Sequence, residues 1–89
     1  MQERTVRVGS KNGLHARPAR LFTQAAEKSG AAVSIEKLGG APANAASILA
    51  VISLGIDHDD EVRITVDGPG EATIVVELAD LLATDHDGR

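Results

Sequence analysis

The sequence predicts a two-layer α+β sandwich: a four-stranded antiparallel sheet with three helices on one face, in the order β-α-β-β-α-β-α. Three observations lead there. Short segments with an apolar residue at every second position alternate with segments whose apolar residues recur every three or four. Glycine, often with proline, punctuates the junctions. The 89 residues, 43% of them hydrophobic, suit a single modest core, and neither an internal repeat nor a linker divides them. The alternating strands need one buried face, and amphipathic helices supply the cover.

Taken in order, Thr5-Val6-Arg7-Val8 alternates as a half-buried strand does. Gly9 to Gly13 is turn chemistry. From Ala16, the residues Pro18, Leu21, Phe22 and Ala25 fall on one face of a helix. Lys28 suits the negative end of that helix, and Gly30 stops it. Val33 and Ile35 alternate with Ser34 and Glu36 as a second strand. Leu38-Gly39-Gly40 turns into a short extended piece around residues 41–44, where Pro42 cannot donate to a ladder and belongs on a sheet edge. Ser47 opens a short helix from Ile48 to about Leu54, closed by Gly55. Val62, Ile64 and Val66 alternate with Arg63, Thr65 and Asp67 as the clearest strand. After the turn Asp67-Gly68-Pro69-Gly70, the residues Ile74, Val75, Leu78, Leu81 and Leu82 keep helical spacing. Thr73-Ile74-Val75-Val76 alone would suit a strand, but the length of the run and Glu77, Ala79 and Asp80 favour helix. The tail from Thr84 to Arg89 is polar and predicted to fray.

Composition removes several function classes. There is no cysteine, which excludes disulfides, thiolate metal sites and thiol catalysis. A net charge of −4 argues against general nucleic-acid affinity. No apolar run approaches the roughly 18–20 residues of a membrane span, and Met-Gln-Glu-Arg-Thr does not open a signal peptide. A single domain over residues 1–89, cytoplasmic and not inserted in a membrane, is expected.

Chemistry concentrates where the first loop meets the first helix. His15 stands between a glycine turn and Pro18, which suits a helix's first turn because the amides there lack partners. The free amides of Ala16 and Arg17, the helix field and the Arg17 guanidinium together make an anion site. That field disfavours a second cation, so it keeps the imidazole neutral and nucleophilic near pH 7. A phosphoryl group received there would meet the same amides and Arg17. The plain alternative, a loop histidine acting as an indifferent cap, is about equally compatible with the local pattern.

Ser47 reads first as an N-cap. In the helix that follows, Ile48, Leu49, Ala50, Val51, Ile52 and Leu54 leave almost no polar face. Val51 and Leu54 are expected to point inward. Ile48, Leu49 and Ile52 then form an apolar docking patch with Arg20 on its rim. His58-Asp59-Asp60 and Asp85-His86-Asp87 lack helical ligand spacing and read as a surface turn and a solvated tail, so no metal site is expected. No carboxylate pair suggests general acid–base catalysis. Gly68-Pro69-Gly70 has no following lysine and is a turn, not a phosphate loop.

"GLHARPA" at residues 13–19 and "NAASILAVISLG" at residues 44–55 resemble the HPr family, the histidine phosphocarriers of the bacterial phosphoenolpyruvate-dependent sugar phosphotransferase system. The resemblance runs from about residue 3 to residue 83 and includes the order of elements. It implies that His15 accepts a phosphoryl group at Nδ1 from phospho-enzyme I and passes it to the A component of a sugar permease, with Arg17 steadying the phosphate. It also implies a stoichiometric carrier rather than an enzyme, monomeric, with no cofactor of its own; Mg²⁺ and phosphoenolpyruvate are used by enzyme I. In many relatives the serine matching Ser47 is phosphorylated by an ATP-dependent regulatory kinase. Here Ala46 stands where lysine often precedes that serine, Ala50 replaces a frequent glycine or lysine, and the turn at residues 38–40 is one residue longer than in many relatives. A regulatory protein-binding module and a carrier of a nitrogen-linked chain remain as alternatives, although "LHARPA" beside "SILAVISLG" leans towards the sugar branch.

Overall fold

The computed structural model describes residues 1–9, 13, 14 and 16–84. Its elements are β1 (Gln2–Arg7), α1 (Ala16–Lys28), β2 (Ala32–Lys37), β3 (Ala43–Asn44), α2 (Ile48–Ser53), β4 (Glu61–Asp67) and α3 (Glu71–Ala83). The four strands form one antiparallel sheet in the order β1-β4-β2-β3. Expected order and expected fold class agree with it.

Register places the apolar residues of the central strands on one face. Val33 lies opposite Val66 and Ile35 opposite Ile64. All four, with Val62, are buried. The helices cover this face and complete a single core through Phe22, Val51, Val75, Leu78 and Leu82. The opposite face is polar and carries the bond from Arg63 Nε to Glu36 Oε1 at 2.6 Å.

Edges behave differently. β1 pairs with β4 so that Gln2, Arg4 and Val6 share the helix-covered side, yet only Val6 is partly buried. The strand therefore begins earlier than the alternation at Thr5 implies, because backbone pairing to β4 extends past the residues that bury anything. Val8, expected inside the strand, follows it and is buried, its amide bonded to Asp60 O at 3.1 Å. At the other edge β3 has two residues, directly after exposed Pro42.

The inward face of α1 is corrected. Ala19, Phe22, Thr23 and Ala26 are the buried positions, together with Pro18, while Leu21 and Ala25 are only half-buried. Ala25 instead lines a groove against Ile74 and Leu81 of α3. Packed between two helices, α1 buries small residues that permit close approach, and hydrophobicity alone underrates those. In α3 the same shift buries Ala79 with Val75, Leu78 and Leu82, leaving Ile74 and Leu81 half-buried. No helix among the described residues is long and apolar enough to cross a membrane.

Candidate functional site

Two anchors fix the entry to α1. Gly13 has φ +75°, and a Cβ there would meet the Ile56 carbonyl and stand 2.7 Å from Asp57 Cα, so only glycine fits. Leu14 is 1% exposed and its amide donates to Ile56 O at 3.0 Å. Helix α1 begins at Ala16. His15, between these anchors and the helix, lies outside the described residues, as does the acidic-histidine segment at residues 85–87.

The first turn of α1 has no acidic residue, and its second residue, Arg17, is exposed. A cation there faces the positive end of the helix dipole and is locally unfavourable. Amides of a first turn lack intrahelical partners. Backbone and side chain of this turn thus carry one sign of charge, a combination that favours an anion. Pro18 is buried and Arg20 exposed one turn on.

Ser47 is the N-cap of α2, with φ −106° and ψ 111°, and its Oγ accepts from the Ala50 amide at 3.3 Å. Asn44 prepares that start: its carbonyl accepts from the Ser47 amide at 3.1 Å and its Oδ1 from the Ala46 amide at 2.9 Å. Helix α2 packs against α1. Val51 is fully buried, whereas Leu49 is 76% and Ile52 39% exposed. Ile48 departs from the expected patch: it is half-buried and packed against the core, as is Leu54. A single-turn-and-a-half helix cannot keep all its apolar residues on one side, so the free apolar surface reduces to Leu49 and Ile52.

The His58-Asp59-Asp60 segment is a turn with Asp59 at φ 68°. Among the described residues no group of three or more metal-capable side chains gathers. The turn nevertheless makes bonds to two residues the sequence reading passed over, Asp57 and Lys37. Asp60 Oδ2 accepts from the Asp57 amide at 2.8 Å and pairs with Lys37 Nζ at 3.1 Å. These bonds hold the Asp60 carboxyl below the ordinary carboxylate range, the Asp57 amide contributing most and Lys37 next. Ile56, an isolated apolar residue beside an acidic turn, was the available signal.

Comparison with known proteins decides the family. The model described as "PTS HPr component phosphorylation site" matches residues 2–84. The chain belongs to the HPr family, the phosphocarriers of the phosphotransferase system. It is 46% identical over 83 residues to the phosphocarrier protein HPr of Streptomyces coelicolor, covering 93% of this chain and 89% of that one. A solved HPr from Bacillus anthracis superposes with a TM-score of 0.86 at 38% identity, over 91% of this chain and 95% of that one. A solved HPr dimer from Thermoanaerobacter tengcongensis gives 0.69 at 38% identity, over 91% and 92%. HPr proteins carry a group rather than turn substrate over.

Proposed function

We propose that the chain carries a phosphoryl group on His15, received from phospho-enzyme I and delivered to A components of sugar permeases. The observation that supports this most is the first turn of α1, which starts directly after residue 15, bears exposed Arg17 and has no carboxylate to occupy its positive end. A neutral imidazole attacks phosphorus through Nδ1, the atom implied by the family. The N–P bond forms as the bond from phosphorus to the donor breaks, and the transferred PO₃ keeps its charge throughout. The amides of Ala16 and Arg17 and the guanidinium stabilise that charge in transit. In delivery the same bond breaks towards the next acceptor. The chain needs no cofactor for this; Mg²⁺ and phosphoenolpyruvate serve enzyme I. It acts as a cytoplasmic monomer.

Incubation with enzyme I, Mg²⁺ and phosphoenolpyruvate tests the reading. An acid-labile, base-stable modification, absent from His15→Ala, is expected; an unlabelled wild-type protein overturns it.

Docking to enzyme I and the permease components uses Leu49 and Ile52, with Ile48 beneath and Arg20 on the rim. A charge at the most exposed of these, Leu49→Asp, lowers the transfer rate about tenfold while the melting temperature holds. Ser47 serves as a regulatory phosphorylation site for an HPr kinase. A phosphate on its Oγ would lie at the N-terminus of α2, where negative charge is tolerated, and would charge the docking surface without unfolding it. Mass mapping after incubation with such a kinase and ATP checks this: an unmodified Ser47 removes regulation from the account.

A further inference from the structure

Both flanks of the first loop are bonded to one short segment, Ile56 to Asp60, and the incoming flank is bonded to α3 as well, the Gly9 amide donating to Leu82 O at 2.9 Å. On the incoming side, the Val8 amide donates to Asp60 O at 3.1 Å and the Asp59 amide to Val8 O at 2.9 Å. On the outgoing side, the Leu14 amide donates to Ile56 O at 3.0 Å, and Gly13 is pressed against Ile56 and Asp57. Residues 56–60 therefore bridge the Val8 and Leu14 anchor points directly.

That segment is held closed by its own carboxylate. Asp60 Oδ2 accepts from the Asp57 amide at 2.8 Å while the Asp60 amide donates to Asp57 O at 3.1 Å, a reciprocal tie across the turn. Lys37 locks it from outside. Its register puts it on the helix-covered face at the end of β2, and its ammonium reaches Asp60 Oδ2 at 3.1 Å and the Gly55 carbonyl, just past α2, at 3.4 Å. Arg7 reaches the same segment from β1, donating to Asp59 O at 3.3 Å. Side chains from two neighbouring strands, β1 and β2, thus converge on this turn.

We infer that Asp60 and Lys37 are positioning residues: through the 56–60 turn they set where Leu14, and with it the entry to α1, is held for phosphoryl transfer. The inference rests on the phosphocarrier reading for its activity arm and on the hydrogen bonds above for its structural arm. Transfer geometry is sensitive to small displacements of the acceptor, so a remote tie can change rate without touching phosphate.

Amide exchange and transfer kinetics on the full chain test it together. In Asp60→Ala the Leu14 amide should exchange about tenfold faster while the core amide of Ile64 keeps its protection, since one local bond network is lost and the fold is not. The turnover rate for phosphoryl transfer from enzyme I should fall about fivefold with KM little changed, because the docking surface is intact. Asp60→Asn, which keeps an oxygen for the Asp57 amide, should restore most of the Leu14 protection and the rate, and Lys37→Met should show a weaker form of the Asp60→Ala effect. Unchanged Leu14 exchange in Asp60→Ala overturns the inference; so does faster Leu14 exchange with an unchanged transfer rate. Loss of Ile64 protection in that variant moves the judgement to Lys37→Met, under the same two criteria. A wild-type protein that takes up no phosphoryl group refutes the carrier reading and the transfer claim with it, while Leu14 exchange still decides whether the tie holds the loop.

Discussion

Helices α1 and α3 are both 13 residues long, and their first turns are opposites. At α3 the positive end is filled from within. Glu71 is the first helical residue; its Oε1 accepts from the Gly68 amide at 3.3 Å and its Oε2 pairs with the amino group of Met1. The first turn of α1 has no carboxylate, and Arg17 adds positive charge. One positive end is answered by a carboxylate of its own first turn, and the other is not. A helix start whose charge its own first turn does not answer is a stability cost, and the function proposed above gives that cost a use.

The comparison can be broken most directly by making α1 resemble α3. Arg17→Glu supplies the missing carboxylate, and the phosphoryl-transfer rate should fall about a hundredfold while the melting temperature holds or rises. Equal rates in the two proteins would show that the first turn of α1 is not the anion site.

Next in size are two changes in and beside α1. Ser47→Ala removes the side-chain cap of α2 and should cost about 1 kcal/mol, read as a lower midpoint in urea unfolding. Thr23→Val acts in the other direction. The Thr23 hydroxyl is buried on α1 without a hydrogen-bond partner. Replacing it with an isosteric methyl should stabilise by about 1 kcal/mol, and transfer kinetics should not change because the residue lies a turn and more from the helix start. A destabilised Thr23→Val would mean that the hydroxyl is satisfied in solution.

The smallest effect sharpens the α3 side. Glu71 is held below the ordinary carboxylate range, chiefly by the hydrogen bond from the Met1 amine and then by the Gly68 amide. Its contribution is present above the unfolded carboxylate pKa and is lost as pH falls through the lower folded value. The amine is raised from 8.0 by the same bond, so its share is present below that value and is lost as pH rises through the higher folded one. In Glu71→Gln, thermal melts should lose part of the acid limb and part of the alkaline limb together. A pH profile identical to wild type would leave the pair without energetic weight.

Strand alternation at Val33, Ile35, Val62, Ile64 and Val66 was legible because a two-residue period needs no knowledge of the partner. The cap at Ser47 and the start of α1 were legible because residue chemistry at helix ends is local. The inward face of α1 was misjudged by a fraction of a turn and Ala79 was missed on an otherwise correct face of α3, since Ala19, Ala26 and Ala79 carry weak hydrophobic signals and are buried for their size. Ile48 was placed on the surface because nothing in a six-residue helix reveals which apolar residues the core has room for. The tie between Lys37 and Asp60 joins residues far apart in the chain, and no local spacing announces it.

By itself the sequence determined the order of elements, the polarity of each helix start and the family, because periodicity, capping and motif are written within a few consecutive residues. Tertiary structure alone decided which side of each helix faces inward, which apolar residues of α2 stay free, and how the 56–60 turn is bonded to both flanks of the first loop. Those outcomes depend on competition for space and on bonds between distant segments, which exist only once the sheet and helices have packed.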